Sequence, residues 1–394
     1  MEYVRLSDSA VYSNKRTNNI HLETYISTEN MLPNKGGVVI AESIPDCKTA
    51  SKYEPCDILL SNIRPYFCKI WYADKEGSCS NDVLVLKAKE GFYSKFLYYV
   101  LSDQNFFNYD TVTSKGTKMP RGSKNAIMKY LVPDINMDTQ RRIASILSAY
   151  DNLIENNNRR IRLLEQMAEN LYKEWFVRFR FPGHEKAEFE NGLPKGWQIA
   201  KLGNFIIFER GVGYGSKDIQ DGENVLLSMN NLRPYGGFIR DYSRPYNGKY
   251  KDFQKVKKGD LIMSITDMTQ DRRIIGYTGI VPPGNDNRII CTHLMKLTSK
   301  ESHSYFLDGL FNYSNLSRVI AERATGANVL GLTADILKGV KTLLPPTCLQ
   351  TKYVNKVTPI IESIFRLQES NDNLSRQRDL LLPRLMSGKL EVKV

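Results

Sequence analysis

The 394-residue sequence lacks the short motifs by which nucleotide-using enzymes are recognised. It has no Gly-x-x-x-x-Gly-Lys-Ser/Thr loop to cradle phosphates, and no strand followed by Gly-x-Gly-x-x-Gly to hold a dinucleotide. It has no Asp/Asn-Pro-Pro-aromatic box and no clustered carboxylates and lysine of nuclease type. Two near-misses, Asn62-Ile-Arg-Pro-Tyr66 and Asn231-Leu-Arg-Pro-Tyr235, carry Arg where the box needs its first Pro. They read as turn sequences, and they do not occupy equivalent places in the repeat described below. Catalysis by this chain is not expected.

Ligands for a metal are scarce as well. The four histidines stand apart at positions 21, 184, 293 and 303, and the six cysteines form no Cys-x-x-Cys. A bound metal is therefore not expected, and the cysteines read as reduced thiols. No apolar run approaches the roughly 20 residues of a membrane span, and the opening Met-Glu-Tyr-Val-Arg is unlike a signal peptide, so a cytoplasmic location is expected. Against these absences stands an excess of positive charge: 55 Lys and Arg against 43 Asp and Glu, a formal net charge of +12. The excess favours an anionic partner but is a weak signal alone.

What is present is a repetition. After Gln140, apolar residues fall at Ile143, Leu147, Tyr150, Ile154, Ile161, Leu164, Leu171 and Trp175. After Gln350, about 210 residues on, the register returns at Tyr353, Val357, Ile360, Ile364, Leu367, Leu374 and Leu381. Alternating steps of four and three mark a long helix packing on another long helix. Ahead of each helix lies a segment rich in Tyr, Ile, Val and Gly, with short apolar runs such as Asp57-Ile-Leu-Leu-Ser-Asn and Asp260-Leu-Ile-Met-Ser-Ile that read as strands. The expected architecture is α+β: two mixed α/β modules, residues 1–136 and 185–344, separated by helical spacers, residues 137–184 and 345–394. The spacers should pack as an antiparallel coiled coil in a pseudo-twofold tandem repeat. The two modules hardly resemble one another, which suggests one task performed on two targets.

The first helix is expected to start at Asp138 as N-cap and to reach about Arg178. The second contains Pro359, which predicts a kink or a short leading helix. Asn157 and Asn371 interrupt the seams at different registers. Antiparallel helices would let them face each other and fix alignment; two solvated side chains are the other reading.

Several runs resemble a known family, the specificity subunits of type I restriction-modification systems. They are Val132-Pro-Asp-Ile-Asn-Met-Asp-Thr-Gln140 with Ile143-Ala-Ser-Ile-Leu-Ser-Ala-Tyr-Asp151, Leu171-Tyr-Lys-Glu-Trp-Phe-Val-Arg-Phe179, and Gly192-Leu-Pro-Lys-Gly-Trp197. Leu344-Pro-Pro-Thr-Cys-Leu-Gln350 and Leu381-Leu-Pro-Arg-Leu-Met-Ser-Gly-Lys389 are the matching landmarks of the second half. The resemblance covers the whole chain; Thr139 and Leu349 stand where the family most often has an acid. It implies a non-catalytic subunit whose two target recognition domains each take one half of a split DNA site. The helices would set the gap and dock two methyltransferase subunits, with restriction subunits joining the larger complex. AdoMet, ATP and Mg would then belong to the partners and no cofactor to this chain. A protein-protein scaffold with an incidental basic surface is the competing reading, and would lack salt-sensitive binding to duplex DNA.

The densest basic stretch without an acid runs from Thr111 to Lys124. It sets Lys115, Thr117, Lys118, Arg121 and Lys124 among Gly116, Pro120 and Gly122, a loop suited to phosphate and groove contact. The matched loop Thr325-Gly-Ala-Asn-Val329 has almost no charge, so Thr325 and Asn328 would act there by hydrogen bonds. Asn62, Arg64, Tyr66 and Lys69 form the other cluster of the first module. In the second, the candidates are Asn230, Asn231, Arg233, Tyr235, Thr266, Asp267, Arg272 and Arg273, since Asn and Arg are shaped for paired contacts to adenine and guanine.

Overall fold

Both apolar runs singled out above form central strands. The computed structural model describes residues 2–240, 242–284 and 287–390, so the last four residues of the expected second spacer lie outside it. Ile58–Ser61 lies in a four-stranded antiparallel sheet ordered Ala10–Tyr12, Val83–Ala88, Ile58–Ser61, Ile70–Tyr72. Side chains alternate across a strand. Ile58, Leu60, Leu84 and Leu86 therefore meet Phe96, Leu97 and Phe106 of the helices Ser94–Leu101 and Gln104–Thr113. Leu59, Val83 and Val85 meet Ile26 and Tyr53 of a second sheet, ordered Arg16–Thr17, Ala50–Tyr53, Gly77–Cys79, Tyr25–Ile26. With both faces covered, the central strand has no reason to alternate apolar and polar residues.

The second module repeats the first sheet in the same order: Ile207–Arg210, Leu294–Thr298, Leu261–Ser264, Thr278–Ile280. Leu261 and Met263 face Phe306 and Leu310 of the helix Ser304–Asn312, and Ile262 faces Val256 and Ile289 of its own second sheet. The second sheets differ. In the first module the inner pair, Ala50–Tyr53 with Gly77–Cys79, is antiparallel; in the second the inner pair, Asn224–Leu227 with Arg288–Ile290, is parallel. A further pair closes each module. Glu2–Arg5 lies against Leu131–Asp134, and Gln198–Lys201 against Lys341–Leu344, so first and last strands are neighbours.

The chain divides into two compact units, residues 1–156 with 370–394, and residues 157–369. Each unit contains one module and part of each long helix. The first long helix spans Met137–Tyr172 and continues as a π turn over Lys173–Val177; the second spans Thr347–Met386. In the first unit Ile143, Ala144 and Leu147 share a core with Leu382, Leu385 and Met386, and Asp151 pairs with Arg378 at 2.6 Å. In the other unit Ala168, Tyr172, Trp175 and Phe176 share a core with Tyr353, Val357 and Phe365. The start of one helix packs on the end of the other in one unit, and end on start in the other, which is the antiparallel pairing. Outside the seam Glu169 pairs with Lys173 at 2.5 Å, and Glu174 pairs with Arg178.

None of the expected seam residues is exposed. Ile143, Leu147, Asn157, Ile161 and Ile364 are buried, and Tyr150, Ile154, Leu164, Leu171, Ile360, Leu367, Asn371, Leu374 and Leu381 are half-buried. Towards the helix ends the deepest positions move on, to Ala168 and Tyr172 beside Leu171, and to Leu382 and Leu385 beside Leu381. A straight helix of 3.6 residues per turn drifts against a 3.5-residue repeat.

Two expectations about helix ends are corrected. The first helix is capped by Asn136, whose Oδ1 accepts from the Thr139 backbone N–H at 2.8 Å; Asp138 already lies in the first turn, two residues too late to cap. The second helix does not break at Pro359, which sits on its exposed side within a continuous 40-residue element. There water can take the bond that the ring cannot make. Gln140 and Gln350, the landmarks of the repeat, are both buried, and each donates to the carbonyl five residues earlier: Ile135 at 2.8 Å and Pro345 at 2.9 Å. Gln140 also accepts from the Tyr93 N–H at 2.7 Å, which fastens the helix start to its module.

Tyr353 is fully buried among Tyr172, Trp175, Phe176 and Phe306, with ring centroids 5.1–6.4 Å away. Tyr353→Ala should cost about 3–5 kcal/mol in urea unfolding, and Leu374→Ala on the half-buried stretch clearly less. Equal losses would mean that the aromatic cluster does not hold the helices.

Candidate nucleic-acid interface

The basic loop of the first module is a pinned hairpin. Lys115 and Arg121 exchange both backbone hydrogen bonds, each 2.9 Å, and Gly116 turns the chain with φ 98°. The hairpin is fastened sideways: Gly122 N–H donates to Asn62 O at 3.1 Å, and Arg64 N–H to Pro120 O at 2.8 Å. Two clusters about 50 residues apart in the sequence thus become one surface. Arg64 has φ 48°, a left-handed conformation that a non-glycine residue holds only where its surroundings demand it. It opens the turn Pro65–Phe67, from which Tyr66 projects half exposed. Lys115, Thr117, Lys118, Arg121 and Lys124 are all exposed, Arg121 pairing with Asp82 at 3.3 Å.

The second module builds the same hairpin from other residues. Thr325 and Gly331 exchange the two bonds at 3.2 and 2.8 Å, and Leu332 N–H donates to Ile265 O at 2.9 Å. The strand Thr266–Asp267 pairs with Leu330–Gly331. Residues 62–64 therefore correspond to 265–267, and the Asn231-Leu-Arg-Pro-Tyr235 run has another place. Thr325 and Asn328 are exposed on the tip.

Several candidates are placed differently from the sequence expectation. Lys69 donates to Thr28 O at 2.5 Å, and burial pulls its pKa down, so its ammonium is committed to the fold. Asn231 is completely buried; its Oδ1 accepts from Ser228 N–H at 2.8 Å and its Nδ2 donates to Ile239 O at 3.1 Å. Asp267 is buried and accepts from the N–H and hydroxyl of Thr269 and the N–H of Ile274, so it shapes the loop carrying Arg272 and Arg273. Thr266 is buried beside His293, 3.1 Å away. Arg233 pairs at 2.7 Å with Glu165 of the first long helix, and with it lines a cleft of about 460 Å³ that includes Tyr235, Asp308 and Asn312. Asn230 and Arg273 are exposed, Arg273 pairs with Asp271 at 3.1 Å, and Tyr235 N–H donates to Arg273 O at 2.8 Å. Asn62 is buried, its backbone holding the hairpin.

Sequence reasoning missed a second basic cleft in the first module, about 430 Å³, lined by Tyr12, Lys15, Arg16, Asn81 and Lys124 among others. Among the described residues Arg16 is held there by uncharged acceptors, Asn81 Oδ1 at 2.8 Å, Thr49 O at 2.9 Å, Thr49 Oγ1 and Ser51 Oγ. No spacing rule links residues 12–16 to residue 124. Among the described residues no group of His, Cys, Asp and Glu is arranged to hold a metal ion, and no helix is long and apolar enough to cross a membrane.

Known proteins fit this geometry. Residues 8–166 match the family model of the type I restriction modification DNA specificity domain. The chain is 26% identical to the MjaIX specificity subunit of Methanocaldococcus jannaschii, over 77% of this chain and 71% of that one. It is 21% identical to the HindI specificity subunit of Haemophilus influenzae, over 93% and 94%. Its fold resembles the crystal structure of a type I restriction-modification S subunit from M. genitalium, with a TM-score of 0.58 over 100% of this chain and 96% of that one at 15% identity. The match to the DNA specificity domain covers the first module, with its pinned hairpin, and most of the first long helix. Residues 8–166 thus carry a type I restriction modification DNA specificity domain, and the chain is similar over most of its length to type I specificity subunits.

Two predictions follow from the surface and from the acids beneath it. Replacing Lys115, Lys118 and Lys124 together by Ala should weaken binding to all duplexes alike and flatten the plot of log affinity against log salt by up to about three units. An unchanged slope would place the hairpin away from DNA. Burial also pushes Asp110 up to about 6 and Asp308 up to about 7, the latter although it accepts from Thr278 Oγ1 and Asn312 Nδ2. Both lie above the ordinary carboxylate value of about 3.9, so their contribution to stability is complete at pH below 4 and is lost as pH rises through 6 and 7. Melting temperatures of Asp110→Asn and Asp308→Asn should therefore vary less between pH 5 and 8 than that of the wild type.

Proposed function

We propose that each module reads one half of a bipartite, asymmetric duplex site, and that the paired helices set the unread gap and dock two methyltransferase subunits. Restriction subunits complete the complex, and AdoMet, ATP and Mg are bound by those partners. The observation that carries this reading is the shared hairpin. One backbone frame, fastened to the same strand in both modules, presents Lys115, Lys118 and Arg121 in the first and Thr325 and Asn328 in the second. An identical frame with unlike side chains suits two half-sites of unlike sequence, because phosphate contacts orient a protein on DNA while groove contacts select bases.

Sequencing methylated bases in cells that carry this chain with its partners tests both parts. Exchanging residues 1–136 for the equivalent module of a relative should alter one half of the methylated motif and leave the other intact; alteration of both halves would refute modular reading. Inserting four residues between Asn157 and Asn158, a turn worth about 6 Å of helix, should keep both half-sequences and lengthen the gap. An active complex that methylates the original motif at its original spacing would show that the helices do not measure the distance.

A further inference from the structure

Three buried side-chain oxygens in the first module lie around Gly122 with no hydrogen-bond partner. Asp110, on the helix Gln104–Thr113, is completely buried, and neither carboxyl oxygen has a hydrogen-bond partner; the side-chain oxygen of Asn62 is buried and unpartnered too. All three crowd Gly122, where the pinned hairpin ends. A Cβ at that residue would lie 2.6 Å from Asp110 Oδ1, 2.9 Å from Asn62 Oδ1 and 3.1 Å from Asp110 Oδ2. Buried acceptors without donors are costly and rare, and a group of three calls for a reason.

The second module shows that the fold does not require them. Gly122 N–H to Asn62 O and Leu332 N–H to Ile265 O are the same bond in the two hairpins, so Asn62 corresponds to Ile265 and Gly122 to Leu332. The repeat of about 210 residues sets Asp110 against Ile320. Ile265, Ile320 and Leu332 are all buried. Three aliphatic side chains fill in one module the place that an acid, an amide and a glycine fill in the other.

The polar trio has one arrangement that satisfies it while Asp110 is ionised. A half-turn of the Asn62 amide brings Nδ2 inward to donate to the carboxylate and turns Oδ1 outward. Above about pH 6 Asp110 is mainly ionised, burial being what raises it. Tyr12, on the strand Ala10–Tyr12, feels its charge; Tyr12 is raised first by burial, stays neutral and donates to Lys124 O at 3.1 Å. Of the cations flanking Gly122, Arg121 is paired with Asp82 and the Lys124 side chain is exposed. Asn62 stands next to Ile63, which bridges to Arg121, and two residues before exposed Arg64, within the face read above as meeting DNA.

We infer that Asp110 is a positioning residue that holds the Asn62 amide with its oxygen towards the duplex, so that the first module accepts a hydrogen bond from the exocyclic amine of adenine or cytosine at one position of its half-site. This rests on the reading that the first module meets DNA through this face. Adenine N6 and cytosine N4 are the amine donors of the major groove, whereas guanine and thymine offer only acceptors at the corresponding edge.

Selection of the full chain against duplexes randomised in both half-sites tests it. In the half-site that follows residues 1–136, one position should favour adenine or cytosine over guanine and thymine, roughly tenfold. Asn62→Ala should level that position alone. Asp110→Asn should do the same, because its own amide can meet either end of Asn62, with the second half-site selected as before. At pH 5 the protonated Asp110 of the wild type donates to Asn62 Oδ1, and the preference should move to guanine or thymine; Asp110→Asn should show no such change. An Asp110→Asn chain that melts like the wild type and keeps the full preference would overturn the inference, as would an even loss at every position of both half-sites. Should Asp110→Asn fail to fold, Asn62→Ala and the wild-type pH series still decide it: an unlevelled position or a preference indifferent to pH overturns it. A wild-type chain that selects no sequence in either half would bring down the recognition reading itself.

Discussion

Each long helix has one apolar stripe to bury and too little else to hold it straight, and the rest of the molecule follows from that constraint. A solvated helix of this length is stabilised by tertiary packing far more than by propensity. Here the stripe is divided between two cores. Leu147 and Leu385 close the core of the first unit; Tyr172 and Tyr353 close that of the other. A module core without its helix segments is left with an open face, and a helix without the modules is left with an unburied stripe. Gln140 and Gln350 mark the junctions, buried amides that bind the helix starts to the preceding carbonyls.

Within the modules, the backbone and the side chains have separate duties. The hairpin frame is built from main-chain bonds, Lys115 with Arg121 and Thr325 with Gly331, together with the sideways bonds to residues 62–64 and 265–267; side-chain ties run from Arg121 to Asp82 in the first and from Gln270 to Ala327 O in the second. Main-chain bonds are indifferent to side-chain identity, so the tip residues are free to change without loss of the frame. The first sheet of each module, which carries this frame, is the same in order; the second sheets are not. Variation is therefore concentrated away from the strands that position the hairpin.

The sequence disclosed the periodic parts of this design. The seam, the tandem repeat and the two central strands were all legible, because a 3.5-residue stripe and a buried apolar run are local patterns. Pro359 was misjudged because its cost depends on which side of the helix it occupies, and Asp138 because a cap is decided by geometry over two residues. The surface candidates were legible as loops and charge but not as individual roles. Asn231 and Asp267 are the residue types that bond their own backbone in turns, and they do so here, while Arg233 found Glu165, a partner 68 residues distant. Burial and long-range pairing decide such cases, and no local pattern records them.

The pairing of Glu2–Arg5 with Leu131–Asp134, and of Gln198–Lys201 with Lys341–Leu344, has a consequence for heredity. Each module begins and ends at neighbouring strands, so the chain leaves it beside the point at which it entered. The coding segment between those strands behaves as a cassette. An exchange of residues 198–344, from one closing strand to the other, would replace the second module and its closing pair together, leaving no half-built sheet. Asn231 and Asp267, whose bonds run to neighbours within the second module, would travel with their partners in such an exchange.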